Sequence, residues 1–135
     1  MPWGRIAIAV LASAVVSSMT DWLFLGSDLL YKGYDRNPEI WRYRGGQGES
    51  TAVLWSSALP LLTCGVFVLL CGRLHLYSYR ETLKLAAAIW LIGPLPLTIV
   101  NALWMKIAPA IAASHALGWL VKLTVAALAV SLILG

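Results

Sequence analysis

Charged residues are scarce in this sequence. They make up 12% of its 135 residues, while hydrophobic residues make up 60%, and a soluble domain usually has about 25% charged residues. The mean hydropathy is +0.79, and the apolar residues are gathered into long runs. This composition excludes an ordinary soluble domain and indicates an integral membrane protein.

Cysteine is also scarce, and its spacing excludes two kinds of site. The two cysteines, Cys64 and Cys71, belong to one apolar run. If that run is helical, they lie about 10 Å apart along it, which is too far for a disulfide. The sequence shows no metal-ligand spacing. We therefore expect two buried thiols and no metal site, and the sequence does not tell whether a cofactor binds.

Basic residues outnumber acidic ones, giving a formal net charge of +4. They are scattered among short connecting segments and form no basic helix face of the kind that binds nucleic acid. Basic residues beside apolar runs typically anchor helix ends to lipid headgroups. We therefore expect the lipid bilayer as a partner and no nucleic acid.

Four apolar runs are long enough to cross the membrane, which takes about 20 residues per helix. They predict an all-α fold, a four-transmembrane-helix bundle forming a single domain over residues 1–135. The first run could instead be a signal peptide, because Arg5 precedes it and the "ASA" at 12–14 resembles a cleavage site. Its apolar character continues past that site, so we favour a span. We place the four spans at about 4–26, 51–71, 82–105 and 107–134.

The longest polar connection, residues 27–50, predicts a short interfacial helix between helices 1 and 2. "NPE" at 37–39 offers an N-cap side chain, a proline at the first helical position and an acid that favours the helix dipole. "GG" at 45–46 would end this helix. Its tyrosines and tryptophan favour the headgroup zone. An aromatic-anchored loop and a lid over a site are the two interpretations that remain open.

Prolines interrupt two of the spans. Pro60 predicts a kink in the second span, because proline removes a backbone donor. "GPLP" at 93–96 predicts that the third span is broken or sharply bent. Irregular backbone at membrane depth commonly lines a cavity.

Three ionisable residues fall inside the spans, namely Asp21, His115 and Lys122. A charge at mid-membrane costs at least about 2.5–3.5 kcal/mol, so such residues usually face the bundle interior and pair. Polar residues of the other two spans fall in the same half of the membrane, about 6–12 Å below the end that carries the connection 27–50. These are Asn101 on the third span and Ser56 and Ser57 on the second.

Small residues recur every four positions on the first and the fourth span, and each stripe contains a charge. The stripes are Ala9, Ser13, Ser17 and Asp21 on the first, and Ala110, Ser114, Gly118, Lys122 and Ala126 on the fourth. Residues at this spacing share a helix face, and small residues let two membrane helices approach closely. We predict that the two spans touch and that Asp21 pairs with Lys122, directly or through water.

The tryptophans are weaker evidence for an internal cavity than the polar residues are. Trp55 and Trp119 fall at the depth of the polar residues and could line a cavity, although packing in the core or against lipid is the more usual role of such residues. Trp22 and Trp104 lie close to a span end and suit the aromatic belt at the interface.

The first span ends in "TDWLFLGSDLLYKGY", which runs into "NPEIWR", and it is followed by an asparagine-bearing third span and a small-residue fourth span. This layout resembles small four-helix bacterial membrane proteins that are grouped in families of unknown function. The resemblance implies a fold and no activity, and it assigns no site residue. With it we expect a multi-pass location in the bacterial inner membrane.

Three functions are compatible with these features. The first is binding or transport of a small or lipid-like molecule, with Asp21 or His115 titrating in a proton-coupled carrier and a homo-oligomer supplying further spans. The second is an accessory role beside other membrane subunits. The third is an enzyme for an apolar substrate, with Asp21 and His115 as base and acid and Lys122 or Asn101 stabilising negative charge. We favour the first because all four spans place polar residues at a similar depth. We lean against an enzyme because no diagnostic motif is present.

Overall fold

The computed structural model describes residues 2–25 and 48–135. Within them the chain is all-α, and four stretches of helix are long and apolar enough to cross a membrane. The predicted all-α class is therefore confirmed. The third stretch consists of two helices joined at Gly93. The helices are α1 (Trp3–Leu25), α2 (Glu49–Leu74), α3 (Tyr79–Ile92), α4 (Pro94–Trp104) and α5 (Pro109–Ile133).

The interfacial helix predicted between the first two spans lies outside the described residues. The described chain resumes at Gly48, which precedes α2 with a φ of 110°. This left-handed conformation has no steric penalty in glycine because glycine lacks a Cβ atom.

The two proline sites behave differently. α2 continues as one helix through Pro60, whose side chain is buried, and the kink predicted there stays a prediction. The break predicted for the third span is present. α3 ends at Ile92, Gly93 has φ −121° and ψ −84°, and Pro94 begins α4. Proline suits this position because the first residue of a helix needs no backbone donor.

The last helix, α5, is central to the packing. It contacts each of the other four helices, and its contact with α1 is the most extensive. α1 also packs on α2, while α3 and α4 attach to the rest of the protein chiefly through α5. The architecture is therefore a cluster of α1, α2 and α5, with the third span laid against α5.

The core lies in the half of the helices that is farther from residues 25 and 48. We call the opposite end, where α1 ends and α2 and α5 begin, the connection end. α2 contributes Cys64, Phe67, Val68 and Cys71 to the core, and α5 contributes Leu123, Ala126, Ala127 and Val130. Both cysteines are free and buried, as predicted. Toward the connection end, residues 53–59 of α2 are all exposed, so this part of α2 covers little of the interior.

The predicted contact between the first and fourth spans is confirmed. On α1 the stripe residues Ala9, Ser13 and Ser17 are at most 1% exposed. On α5 the stripe is buried from Ser114 to Ala126, but its first member, Ala110, is exposed. Close approach of two helices through small side chains explains why these stripes meet.

Gly118 lies at this close approach, packed against Phe24 of α1. A Cβ atom at Gly118 would lie 3.2 Å from the Cβ atom of Phe24, whereas one at Gly4 would meet nothing within 4 Å. We expect Gly118→Leu to push α1 away from α5 and to lower the free energy of unfolding by about 1–3 kcal/mol. Unfolding by SDS titration in mixed micelles, followed by circular dichroism, measures this change. Gly4→Leu is the matched control, and equal stability of the two variants would contradict the close approach.

Candidate functional site

The centre of the candidate site is a direct ion pair between the first and the last helix. The Lys122 Nζ atom lies 2.7 Å from the Asp21 Oδ2 atom, a distance typical of a charge-assisted hydrogen bond. The side chain of Lys122 is 7% exposed and that of Asp21 is 14% exposed. The structure thus joins the two oppositely charged residues that the sequence places inside the spans, and the contact between them is direct.

The direction of the helices explains why the pair can form. α1 ends and α5 begins at the connection end, so the two helices run antiparallel. Side chains of a helix lean toward its N-terminus, and the stem of Lys122 therefore points back along α5 toward the connection end. Asp21 lies one turn before the end of α1, and the flexible four-carbon stem closes the remaining gap.

A hydrogen bond fixes the same two helices one step nearer to the connection end. The Ser114 hydroxyl donates to the Phe24 carbonyl oxygen at 2.9 Å. This carbonyl belongs to the last turn of α1, where backbone acceptors have no partner in their own helix. Together with the packing of Gly118 against Phe24, the bond holds Asp21 at a defined distance from α5.

Trp119 forms the second side of the site. The Lys122 Nζ atom lies 4.4 Å from the centre of a Trp119 ring, within the range of a cation–π interaction. Trp119 is 37% exposed, much more than either charged side chain. The ammonium group therefore contacts both a carboxylate and an aromatic ring, and Trp119 is the most exposed of the three residues.

His115 and Asn101 are half-buried. His115 lies on α5 seven residues before Lys122, about two turns nearer to the connection end. Asn101 lies on α4, which packs on α5, and among the described residues it makes no hydrogen bond to Asp21 or Lys122. His115 therefore lies on the helix that carries Lys122, and Asn101 lies on a helix packed against it. A role of either residue in ligand binding stays a prediction.

The candidates on α2 face outward. Trp55, Ser56 and Ser57 are all exposed. The Ser57 hydroxyl donates to the Val53 carbonyl oxygen of its own helix at 2.8 Å. The link from this region to α1 is a bond of 3.3 Å from the Ser18 hydroxyl to the Ser57 carbonyl oxygen. The structure does not bring these three side chains to the ion pair, and a role in binding stays a prediction for them.

Trp90 is a residue beside the site that the sequence reasoning did not identify. Its indole Nε1 atom donates to the Ala116 carbonyl oxygen at 2.7 Å and so ties α3 to α5. Trp90 stands inside an apolar span, three residues before the break at Gly93. An indole N–H at that depth needs a partner, and this requirement is the signal that could have singled it out.

The polar groups in the described residues are well satisfied. Within 2–25 and 48–135, every buried side-chain nitrogen and oxygen atom has a hydrogen-bond partner. In the same ranges no three histidine, cysteine or acidic side chains are grouped so that they could hold a metal ion. What the described part of the site offers chemically is thus a charge pair with an aromatic neighbour.

Comparison with protein-family models, with curated proteins and with solved structures finds no match for this chain. The function proposed for the site therefore rests on its geometry.

Proposed function

We propose that this chain is a multi-pass membrane protein that binds, or carries across the membrane, a small or lipid-like molecule at the Asp21–Lys122 pair. The supporting observation is the pair itself, a full charge pair buried between two apolar helices. Desolvation makes such a pair expensive, and apolar residues of similar size often hold helices together as well or better. A pair kept at this depth therefore favours a role beyond packing.

The surroundings of the pair favour a molecule that is partly apolar. Asp21 is the more exposed of the two charged side chains, and the nearby half of α2 is exposed along residues 53–59. A ligand that enters from the connection end would place a polar group at the pair while its apolar part stays among hydrocarbon. This is the usual composition of a ligand site, with few polar groups in an apolar lining.

Three further parts of the proposal concern the setting. We place the protein in the bacterial inner membrane on the strength of the sequence resemblance, with an interfacial helix inside residues 27–50 at the "NPE" pattern. We also propose a homo-oligomer. The third span, Tyr79–Trp104, buries little of its surface within one chain and packs chiefly against α5.

A second candidate function is an accessory subunit whose polar residues only fasten helices. The directness of the Asp21–Lys122 contact favours it, as does the satisfaction of the buried polar atoms in the described part of the chain. In that case the site binds no ligand, and other membrane subunits would cover the exposed helix faces.

Native mass spectrometry of the protein purified in mild detergent separates the two functions. We expect the wild-type chain to retain a bound molecule and the double variant Asp21→Asn/Lys122→Met to lose it, because that variant removes both charges without leaving either one unpaired. Lys84→Met is the matched control, since Lys84 is exposed on α3, and it should retain the molecule. A wild-type chain without a bound molecule, or equal retention by the double variant, would contradict binding and favour the accessory role.

A further inference from the structure

We infer that the ligand of this site is a lipophilic organic cation, which binds to the Asp21 carboxylate and the Trp119 face in place of the Lys122 ammonium group. This inference rests on the proposed function and names its ligand class. It starts from the two groups that surround the ammonium. A carboxylate oxygen lies 2.7 Å away on one side, and an indole ring lies with its centre 4.4 Å away on another.

Proteins bind organic ammonium ions on aromatic faces, and a buried charge is stable when it is paired with an opposite charge. The Asp21 carboxylate and the Trp119 ring both lie around a single point here, the Lys122 Nζ atom, so a foreign cation at that point would meet both at once. The surroundings of this point already stabilise a positive charge among apolar residues. Lys122 therefore behaves as a tethered cation that occupies the site in the absence of a ligand.

The difference in exposure decides between a cationic and an anionic ligand. The side chain of Lys122 is 7% exposed, that of Asp21 is 14% exposed, and Trp119 is 37% exposed. An incoming molecule therefore finds more accessible surface on Trp119 and Asp21 than on Lys122. An anion would have to reach the most buried of the three groups, whereas a cation would not.

The side chain of Lys122 is able to give up the position. Its ammonium is a compact charge on a flexible four-carbon stem, and that stem already points toward the connection end. A displaced ammonium group can rotate away from Asp21 on this stem, whose methylene groups pack against apolar surface while the charged end moves. The ligand must bring its own apolar surface, because hydrocarbon surrounds the exposed faces of α1 and α2.

Tetraphenylphosphonium and tetraphenylborate are the probes, because they match in size and shape and differ in the sign of the charge. Binding to the full chain in an uncharged detergent is measured by isothermal titration calorimetry. We expect saturable binding of the phosphonium and none of the borate. Trp119→Leu should weaken phosphonium binding at least about tenfold, while Trp104→Leu, on an 85% exposed tryptophan, should not.

Removal of the tethered cation supplies a result that a merely structural pair would not give. Lys122 competes intramolecularly, at an effective concentration in the millimolar range or above, so Lys122→Met should tighten phosphonium binding at least about tenfold. The double variant Asp21→Asn/Lys122→Met should bind neither probe. If Lys122→Met is unstable, phosphonium should raise its melting temperature more than that of the wild type, because ligand binding stabilises the folded state.

Several results would overturn the cation assignment while leaving the proposed function in place. These are saturable binding of the borate alone, unchanged phosphonium binding in Trp119→Leu, or no binding of either probe by a chain that carries a molecule in native mass spectrometry. Absence of a native bound molecule from the wild-type chain would instead reject the proposed function itself.

Discussion

Asp21→Asn is expected to lower the free energy of unfolding by about 3–5 kcal/mol. The substitution removes the carboxylate that lies 2.7 Å from the Lys122 ammonium and leaves that group inside the helix cluster without its counter-charge. The Trp119 ring compensates only in part, since a cation–π contact at a partly exposed ring contributes roughly 0.5–2 kcal/mol. Lys122→Met should have an effect of similar size, because it leaves the Asp21 carboxylate alone. SDS titration in mixed micelles, followed by circular dichroism, measures both.

The double variant Asp21→Asn/Lys122→Met should recover most of the lost stability. Neither asparagine nor methionine carries a charge, and replacement of a whole buried ion pair by uncharged residues is often neutral or stabilising. The two single variants and the double variant form a cycle from which the coupling of the pair is obtained. Lys84→Met, on an exposed lysine of α3, is the control and should change stability by no more than about 0.5 kcal/mol.

The size of the coupling bears on function as well as on stability. An Asp21→Asn variant within about 1 kcal/mol of the wild type would mean that the pair behaves like an exposed surface pair, and the proposed intramembrane site would lose its basis. A large coupling energy between Asp21 and Lys122, combined with a stable double variant, would supply the control protein that the ligand experiments need. That variant would be folded while lacking both charges of the site.

The contact of the first and last helices could be predicted because its causes are local in sequence. Small residues at four-residue spacing define one face of each helix. Asp21 lies on one of these faces and Lys122 on the other, so the two faces attract each other. The antiparallel direction follows from the number of spans. Sequence therefore contained the face, the direction and the charge, which together suffice for the pair that the structure shows.

The orientation of the hydroxyl-bearing residues could not be predicted in the same way. Ser56 and Ser57 were assigned to the polar layer from their depth alone, and the structure leaves both exposed on α2. A serine inside a membrane helix does not need an interior partner, because its hydroxyl can bond a carbonyl of its own helix. Ser57 does this with Val53, and Thr98 does it with Pro94 on α4. Depth constrains a charged residue far more than it constrains a hydroxyl group.

The way in which the third span packs on α5 could not be predicted either. It depends on how α3 and α4 are rotated about their own axes, and contacts with α5 determine that rotation. The break at Gly93 separates α3 from α4 and lets each half present its own face to α5. The hydrogen bond from Trp90 to Ala116 follows from that rotation. Sequence locates the break and the tryptophan, but the partner of the indole is fixed only when α5 is in place.

Trp90→Ala is expected to loosen the third span and to lower the free energy of unfolding by about 3–5 kcal/mol. The indole packs against the core and donates the 2.7 Å bond to α5, which is the helix that holds α3 and α4 to the rest of the protein. Trp90→Phe keeps most of the ring and loses the donor, so it should cost about 1–2 kcal/mol. Trp104→Ala, on a tryptophan of the same span that is 85% exposed, serves as the control.

The three variants separate packing from hydrogen bonding in one span. SDS unfolding should rank them with Trp104→Ala nearest to the wild type and Trp90→Ala farthest from it. A Trp90→Ala protein as stable as Trp104→Ala would show that the third span is held by other contacts. Because Ala116 lies between His115 and Gly118 on α5, loss of the Trp90 bond should also change the mobility of the segment that carries the ion pair. Hydrogen exchange at the amides of residues 114–122 should therefore rise in Trp90→Phe and stay unchanged in Trp104→Ala, which would connect the anchoring of the third span to the proposed site.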